Sequence, residues 1–83
     1  MAEITRSSKP KTQREAVIYH LKYIGTLTAG EGMMQYGIFR LAVIIDRLRD
    51  EVQGSTWSIE TIEEQGTNRF GRNFTYARYK LHQ

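Results

Sequence analysis

Arg40 and Arg47 stand seven residues apart in an amphipathic segment, and Arg69 and Arg72 bracket Phe70-Gly71 further along the chain. On a helix that first spacing is about two turns, so the two guanidinium groups project to one side. A guanidinium so placed can bond bidentately to guanine O6 and N7, or to a phosphate. The second pair lies in Asn68-Arg69-Phe70-Gly71-Arg72-Asn73, two cations around an aromatic at a glycine-containing tip. Arginine gains from the enhanced negative potential of a narrow minor groove, and an aromatic can wedge against sugar or base. The alternative is a solvated hairpin tip with Phe70 folded back on its sheet. Arg78 and Lys80, close to Tyr76, extend the basic strip and suit phosphate. Strand lysines also guard edges against aggregation.

Phe39, Val43 and Ile44 share the outer side of the first segment with Arg40 and Arg47. Three readings of these apolar residues stay open. They contact thymine methyls, they anchor a protein partner, or Val43 and Ile44 pack beneath the N-terminal helix or the hairpin. Asp46 and Asp50 lie on the same side and repel phosphate unless an arginine pairs with them.

These side chains need elements to hold them. Thr12-Gln13-Arg14-Glu15 fits a capping box, and Val17, Ile18, Leu21 and Ile24 follow at helical spacing up to Gly25. His20 lies beside that stripe and reads as a surface or boundary residue; Tyr19, Lys22 and Tyr23 fall partly on the outer side. Thr26 and Leu27 form a short extended segment. Thr28-Ala29-Gly30-Glu31 repeats the box and opens a short second helix, which Gly30 and Gly32 weaken and which Met33, Met34 and Tyr36 must hold by packing. Gly37 can take the left-handed conformation that sets a turn. A third helix is expected from Phe39 to Val52, with Ile38, Leu41, Ala42, Ile45, Leu48 and Val52 on its core face. Alternation predicts strands over Thr56 to Glu63 and Phe74 to Leu81, joined by a long flexible basic loop from Gln65 to Asn73. In the last strand Thr75, Ala77, Tyr79 and Leu81 are expected to face the core, and Phe74, Tyr76, Arg78 and Lys80 to face out.

Composition narrows the classes. The chain has 83 residues, enough for one small domain, and a net charge of +3. From Gln65 onward there are four cations and no acid, while the nine acids lie mostly between Glu31 and Glu64. Basic ends around a more acidic middle suit a polyanionic partner. With no cysteine and only two histidines, a structural zinc site of the usual kind and thiolate chemistry are excluded. No Walker-type glycine loop occurs, and Glu60, Glu63 and Glu64 read as a solvated acidic patch. No cofactor, metal, membrane span or enzymatic activity is expected, and a cytoplasmic location is.

The order helix, turn, helix, β-ribbon is that of a winged helix. From Thr12 to Leu81 the chain resembles a family of small winged helix-turn-helix domains of bacteriophages and prophages. Thr12-Gln13-Arg14-Glu15, Leu27-Thr28, Tyr36-Gly37-Ile38, Arg40-Leu41-Ala42, Ile45, Leu48-Arg49 and Tyr76-Ala77-Arg78-Tyr79-Lys80-Leu81 carry the resemblance. It implies double-stranded DNA binding in control of phage transcription, excision or replication, with Arg40 at the start of the recognition helix. The chain departs from the family at Phe39, where a small polar residue is usual, and at Ile44, often polar or basic. Gly30 and Gly32 replace helix-favouring residues.

The expected architecture is therefore α+β: a flexible basic arm over 1–11, then a winged helix over 12–83. Three helices precede a two-stranded hairpin wing, with room for a short third strand after the first helix. The expected DNA-contacting set is Phe39, Arg40, Val43, Arg47, Arg69, Phe70, Arg72, Arg78 and Lys80. The competing expectation is a protein-binding module on the same scaffold, such as an inhibitor of a host enzyme or a homodimerising adaptor, anchored by Phe39, Val43 and Ile44.

Overall fold

A helix start leaves amide groups without intrahelical partners, and this chain covers them twice by the same device. The Thr12 hydroxyl accepts from the Glu15 N–H at 3.1 Å, and the Glu15 carboxylate accepts from the Thr12 N–H at 3.2 Å. In the computed structural model, which describes residues 9–83, this box opens α1 (Gln13–Tyr19). The helix continues as a π-helical segment, His20–Ile24, and stops at Gly25, whose φ of 150° few other residues adopt. β1 (Leu27–Thr28) follows. Thr28 and Glu31 form the second box, at 3.2 and 2.9 Å, and open α2 (Ala29–Tyr36).

Gly37 sits at φ 67°, and its N–H and that of Ile38 bond back to the carbonyls of Met33 and Gly32 at 3.0 and 3.1 Å. That glycine turn ends α2 and redirects the chain into α3 (Leu41–Val52). β2 (Ser58–Thr67) and β3 (Asn73–His82) then pair antiparallel along their whole length, from Ser58↔His82 to Thr67↔Asn73. β1 joins the other side of β3 through Leu27↔Tyr79 and Thr28↔Arg78, so the sheet order is β1-β3-β2. The fold is α+β, three helices with a three-stranded antiparallel sheet, in an order compatible with a winged-helix layout.

The core gathers Val17 and Ile18 from α1, Leu21 from the π-helical segment, Leu27 from β1, Ile38, and Leu41, Ile45 and Leu48 from α3, closed below by Ile59 and Tyr79. Only the base of the hairpin reaches it. On the core-side face Ile59, Tyr79, Ala77 and Leu81 are buried or partly so, whereas Gln65 and Thr75 further out are exposed. The outer half of the ribbon therefore projects beyond the core. It is braced on its other face by Phe74, which lies across Gly66: a Cβ added there would stand 2.8 Å from Phe74 Cζ.

Several expectations need correction. His20 is buried, not at the boundary, because the π-helical turn begins there and rolls it inward. The same turn carries Ile24 off the core face, and Ile24 is exposed. Met33 and Met34 are exposed; α2 is held by partly buried Tyr36 and by Gly32, whose bare α-carbon lies close to Leu41 and Ile38. α3 begins at Leu41, so Phe39 and Arg40 precede its first turn, and Ala42 is exposed. The first hairpin strand starts at Ser58, and the ladder runs on through Thr67 and Asn73, which leaves a short turn where a long loop was expected. Thr75 is exposed because it lies past the reach of the core. Of the expected arm, 1–8 lies outside the described residues; 9–11 has no regular structure, and the Lys11 N–H donates to Glu15 at 2.7 Å.

Candidate nucleic-acid interface

The first half of the candidate site lies along α3. Leu41, Ile45, Leu48 and Val52 turn inward, which leaves Val43, Asp46, Arg47 and Asp50 on the outer side. Val43 is half-exposed, and Ile44 packs partly against the core. Arg40 is the N-cap residue and is exposed; Phe39 before it is 82 % exposed. Val43 and Arg47, four residues apart, share one side of the helix.

Two flanking residues outside the expected DNA-contacting set fix the roll of this helix. Arg49 donates to the Ile59 carbonyl at 3.2 and 3.1 Å, bonds the Thr61 hydroxyl, and lies over the Tyr79 ring at 6.0 Å. Glu51, on the opposite flank, receives Arg14 of α1 in a two-pronged pair, one prong at 2.8 Å. The hydrogen bond from Arg14 holds the Glu51 carboxyl below its usual range. α3 is thus tied to the sheet on one side and to α1 on the other. Their helical-wheel positions beside the core stripe were the available signal.

The second half is the hairpin tip. The Asn68 N–H donates to the Arg72 carbonyl at 2.8 Å, and the Gly71 N–H donates to the Asn68 carbonyl at 3.0 Å. The Asn68 side-chain oxygen accepts from the N–H groups of Phe70 and Arg72 at 2.9 and 3.0 Å. Gly71 takes φ 79°, the left-handed residue that closes a short hairpin loop. The backbone and one asparagine therefore hold this turn, and the side chains of Arg69, Phe70 and Arg72 are all exposed, Phe70 at 86 %. Phe70 does not fold back onto the sheet.

The remaining two members of the expected set differ from each other. Lys80 is exposed on the outer sheet face opposite Glu60, which pairs instead with His82 at 2.7 Å. Arg78, expected to face out toward phosphate, lies on that same outer face but is partly buried and already ion-paired there. Its Nε donates to Glu64 at 2.7 Å, and its Nη1 lies 3.0 Å from the Thr26 hydroxyl and 3.4 Å from Glu31. The Arg78 bond, supplemented by one from Tyr76, holds the Glu64 carboxyl below its ordinary range.

His20 carries no ligand role. Nδ1 lies 2.7 Å from the Tyr36 hydroxyl and Nε2 3.0 Å from the Thr26 carbonyl. A carbonyl only accepts, so Nε2 carries a proton; with the proton on Nε2 alone, Nδ1 accepts the tyrosine O–H. Burial, then neighbouring Tyr19, raises the Tyr36 pKa. Among the described residues no cluster of three or more His, Cys, Asp or Glu is placed to hold a metal ion, and no helix is long and apolar enough to cross a membrane.

No family model, curated protein or solved structure matches the chain.

Proposed function

We propose that this chain is a winged-helix protein that binds double-stranded DNA. The observation that carries the reading is the hairpin tip: a turn closed by its own backbone and Asn68 projects two arginines and a phenylalanine beyond the core. Such a turn has no structural use for those three side chains, and their chemistry is that of groove and phosphate contact. Arg69 and Arg72 engage the minor groove or backbone, and Phe70 packs against sugar or base. Arg40 and Arg47 reach the major groove from α3, flanked by Phe39 and Val43, and Lys80 adds a phosphate contact. The resemblance to phage and prophage domains supports a role as a transcriptional regulator or an accessory excision factor.

A second reading has an observation of its own. Phe39 and Met34 are each more than four-fifths exposed, and Asp46 and Asp50 lie on the outer side of α3. Those features favour a protein partner, such as a host enzyme inhibited by this chain.

Fluorescence anisotropy with random duplex DNA and with DNA flanking the chain's own gene, at low and moderate salt, separates the two. Salt-dependent binding with preference for the flanking DNA supports the regulator. Absence of binding at low salt refutes the DNA reading and directs attention to Phe39 and Val43.

A further inference from the structure

Arg78 sits on the central strand, opposite Thr28 of β1 on one side and Ile62 of β2 on the other. Its guanidinium joins three parts of the fold: Glu64 of β2, Thr26 just before β1, and Glu31 in the first turn of α2. The Glu31 oxygen that meets Arg78 also accepts the Thr28 N–H at 2.9 Å, so one carboxylate both starts α2 and holds the wing. The arginine side chain is about one-quarter exposed. A phosphate approaching it would have to displace a carboxylate at 2.7 Å and would meet the charge of a second at 3.4 Å. Two negative groups already hold its Nε and Nη1, donors that arginine would use to read phosphate.

We infer that Arg78 is a positioning residue: oriented by Glu64 of its own hairpin, it reaches Glu31 and so sets the angle of the hairpin against α2, and through it against α3, and it touches no phosphate itself. The inference rests on the DNA-binding reading above. It makes the wing tip and the recognition helix a single preset unit, joined through a charged bridge on the sheet. Rigid presentation of this kind raises affinity by reducing the ordering cost of binding.

The two roles for Arg78 predict opposite signs at Glu64. If Arg78 were a phosphate ligand, Glu64→Gln would release it and remove one negative charge, and duplex binding would tighten. If Arg78 positions the wing, the same substitution loosens the bridge and binding weakens although the protein becomes more positive. The experiment is a salt titration of random-duplex binding by the full chain, its Glu64→Gln, Arg78→Gln and Arg69→Gln variants, with each confirmed folded by circular dichroism at the assay temperature. The expected result is a loss of about two- to thirtyfold for Glu64→Gln and Arg78→Gln, with the parental salt slope retained. Arg69→Gln lowers that slope by about 1. Unchanged or tighter binding by Glu64→Gln, or a slope lowered by about 1 for Arg78→Gln, overturns the inference. If Arg78→Gln does not fold, Glu64→Gln decides alone, since its arginine is intact. If the parent chain binds no duplex, the DNA reading has failed, and the bridge is judged by amide exchange: faster exchange across Ile62–Gly66 in Glu64→Gln supports it, and unchanged exchange overturns it.

Discussion

Replacing both tip arginines, Arg69→Ala with Arg72→Ala, should change how binding responds to salt and leave the fold alone. Five cations of the candidate surface, Arg40, Arg47, Arg69, Arg72 and Lys80, have no ion pair among the described residues. If each neutralises one phosphate, log K falls with log salt at a slope of about −4.5, or about 500-fold in affinity between roughly 50 and 200 mM. Removing two contacts brings the slope to about −2.7 and the loss to about 40-fold over the same range. The slope difference of about 1.8 is the quantity this reasoning fixes, whatever other cations contribute to the total. The turn itself should persist, because its bonds come from Asn68 and the backbone amides of Phe70, Gly71 and Arg72. Anisotropy titrations at four salt concentrations measure the slopes, and thermal melts check that stability is unchanged. A double variant with the parental slope would refute the claim that the tip meets phosphate.

Tyr36→Phe should lower stability by about 1–3 kcal/mol in urea denaturation, since it leaves buried His20 Nδ1 without its donor. Gly66→Ala should push the Phe74 ring off the ribbon. Its cost should largely vanish in a Phe74→Ala background, a coupling of about 0.5–3 kcal/mol in a double-mutant cycle. Stability should also fall on the acid side. Arg14 depresses the folded-state pKa of Glu51, and Arg78 depresses that of Glu64. Their contribution is therefore complete above the unfolded glutamate value of about 4.3 and is lost as pH drops through the lowered folded values. Urea midpoints at pH 7 and pH 3 measure that loss, and Glu51→Gln should shrink it by roughly 0–1 kcal/mol, the worth of a half-exposed pair.

The parts of this fold set by local chemistry were legible from residue order. Both capping boxes, the left-handed Gly37, the short strand after α1 and the pairing of the two long strands are encoded within a few residues of where they act. What depended on neighbours distant in sequence was not. A wheel at fixed pitch cannot anticipate the π-helical turn, whose extra residue buries His20 and exposes Ile24. Ala42 sits at the edge of the α3 stripe, and nothing from another element arrives to cover it. The tip was legible in type but not in form: glycine and asparagine marked a loop, while the ladder through Thr67 and Asn73 decided how short it is. Arg78 is the plainest case. Strand alternation put it on the outer face, and the carboxylates that claim it come from β2 and from α2 far earlier in the chain.

The position of β2 at the end of the sheet has a consequence for how copies of this chain treat one another. Beyond Ile59, whose carbonyl Arg49 occupies, no strand among the described residues covers its outer edge, where alternate residues offer backbone groups to a strand from another molecule. Glu60, Glu63 and Glu64 lie on that strand with no lysine or arginine among its ten residues. Two copies that tried to join edge to edge would bring six carboxylates together, two sets of three. Like charges facing across such a seam oppose edge-to-edge association of β2. Acid removes that repulsion, so the same protonation that loosens the fold also opens a route to fibrous association.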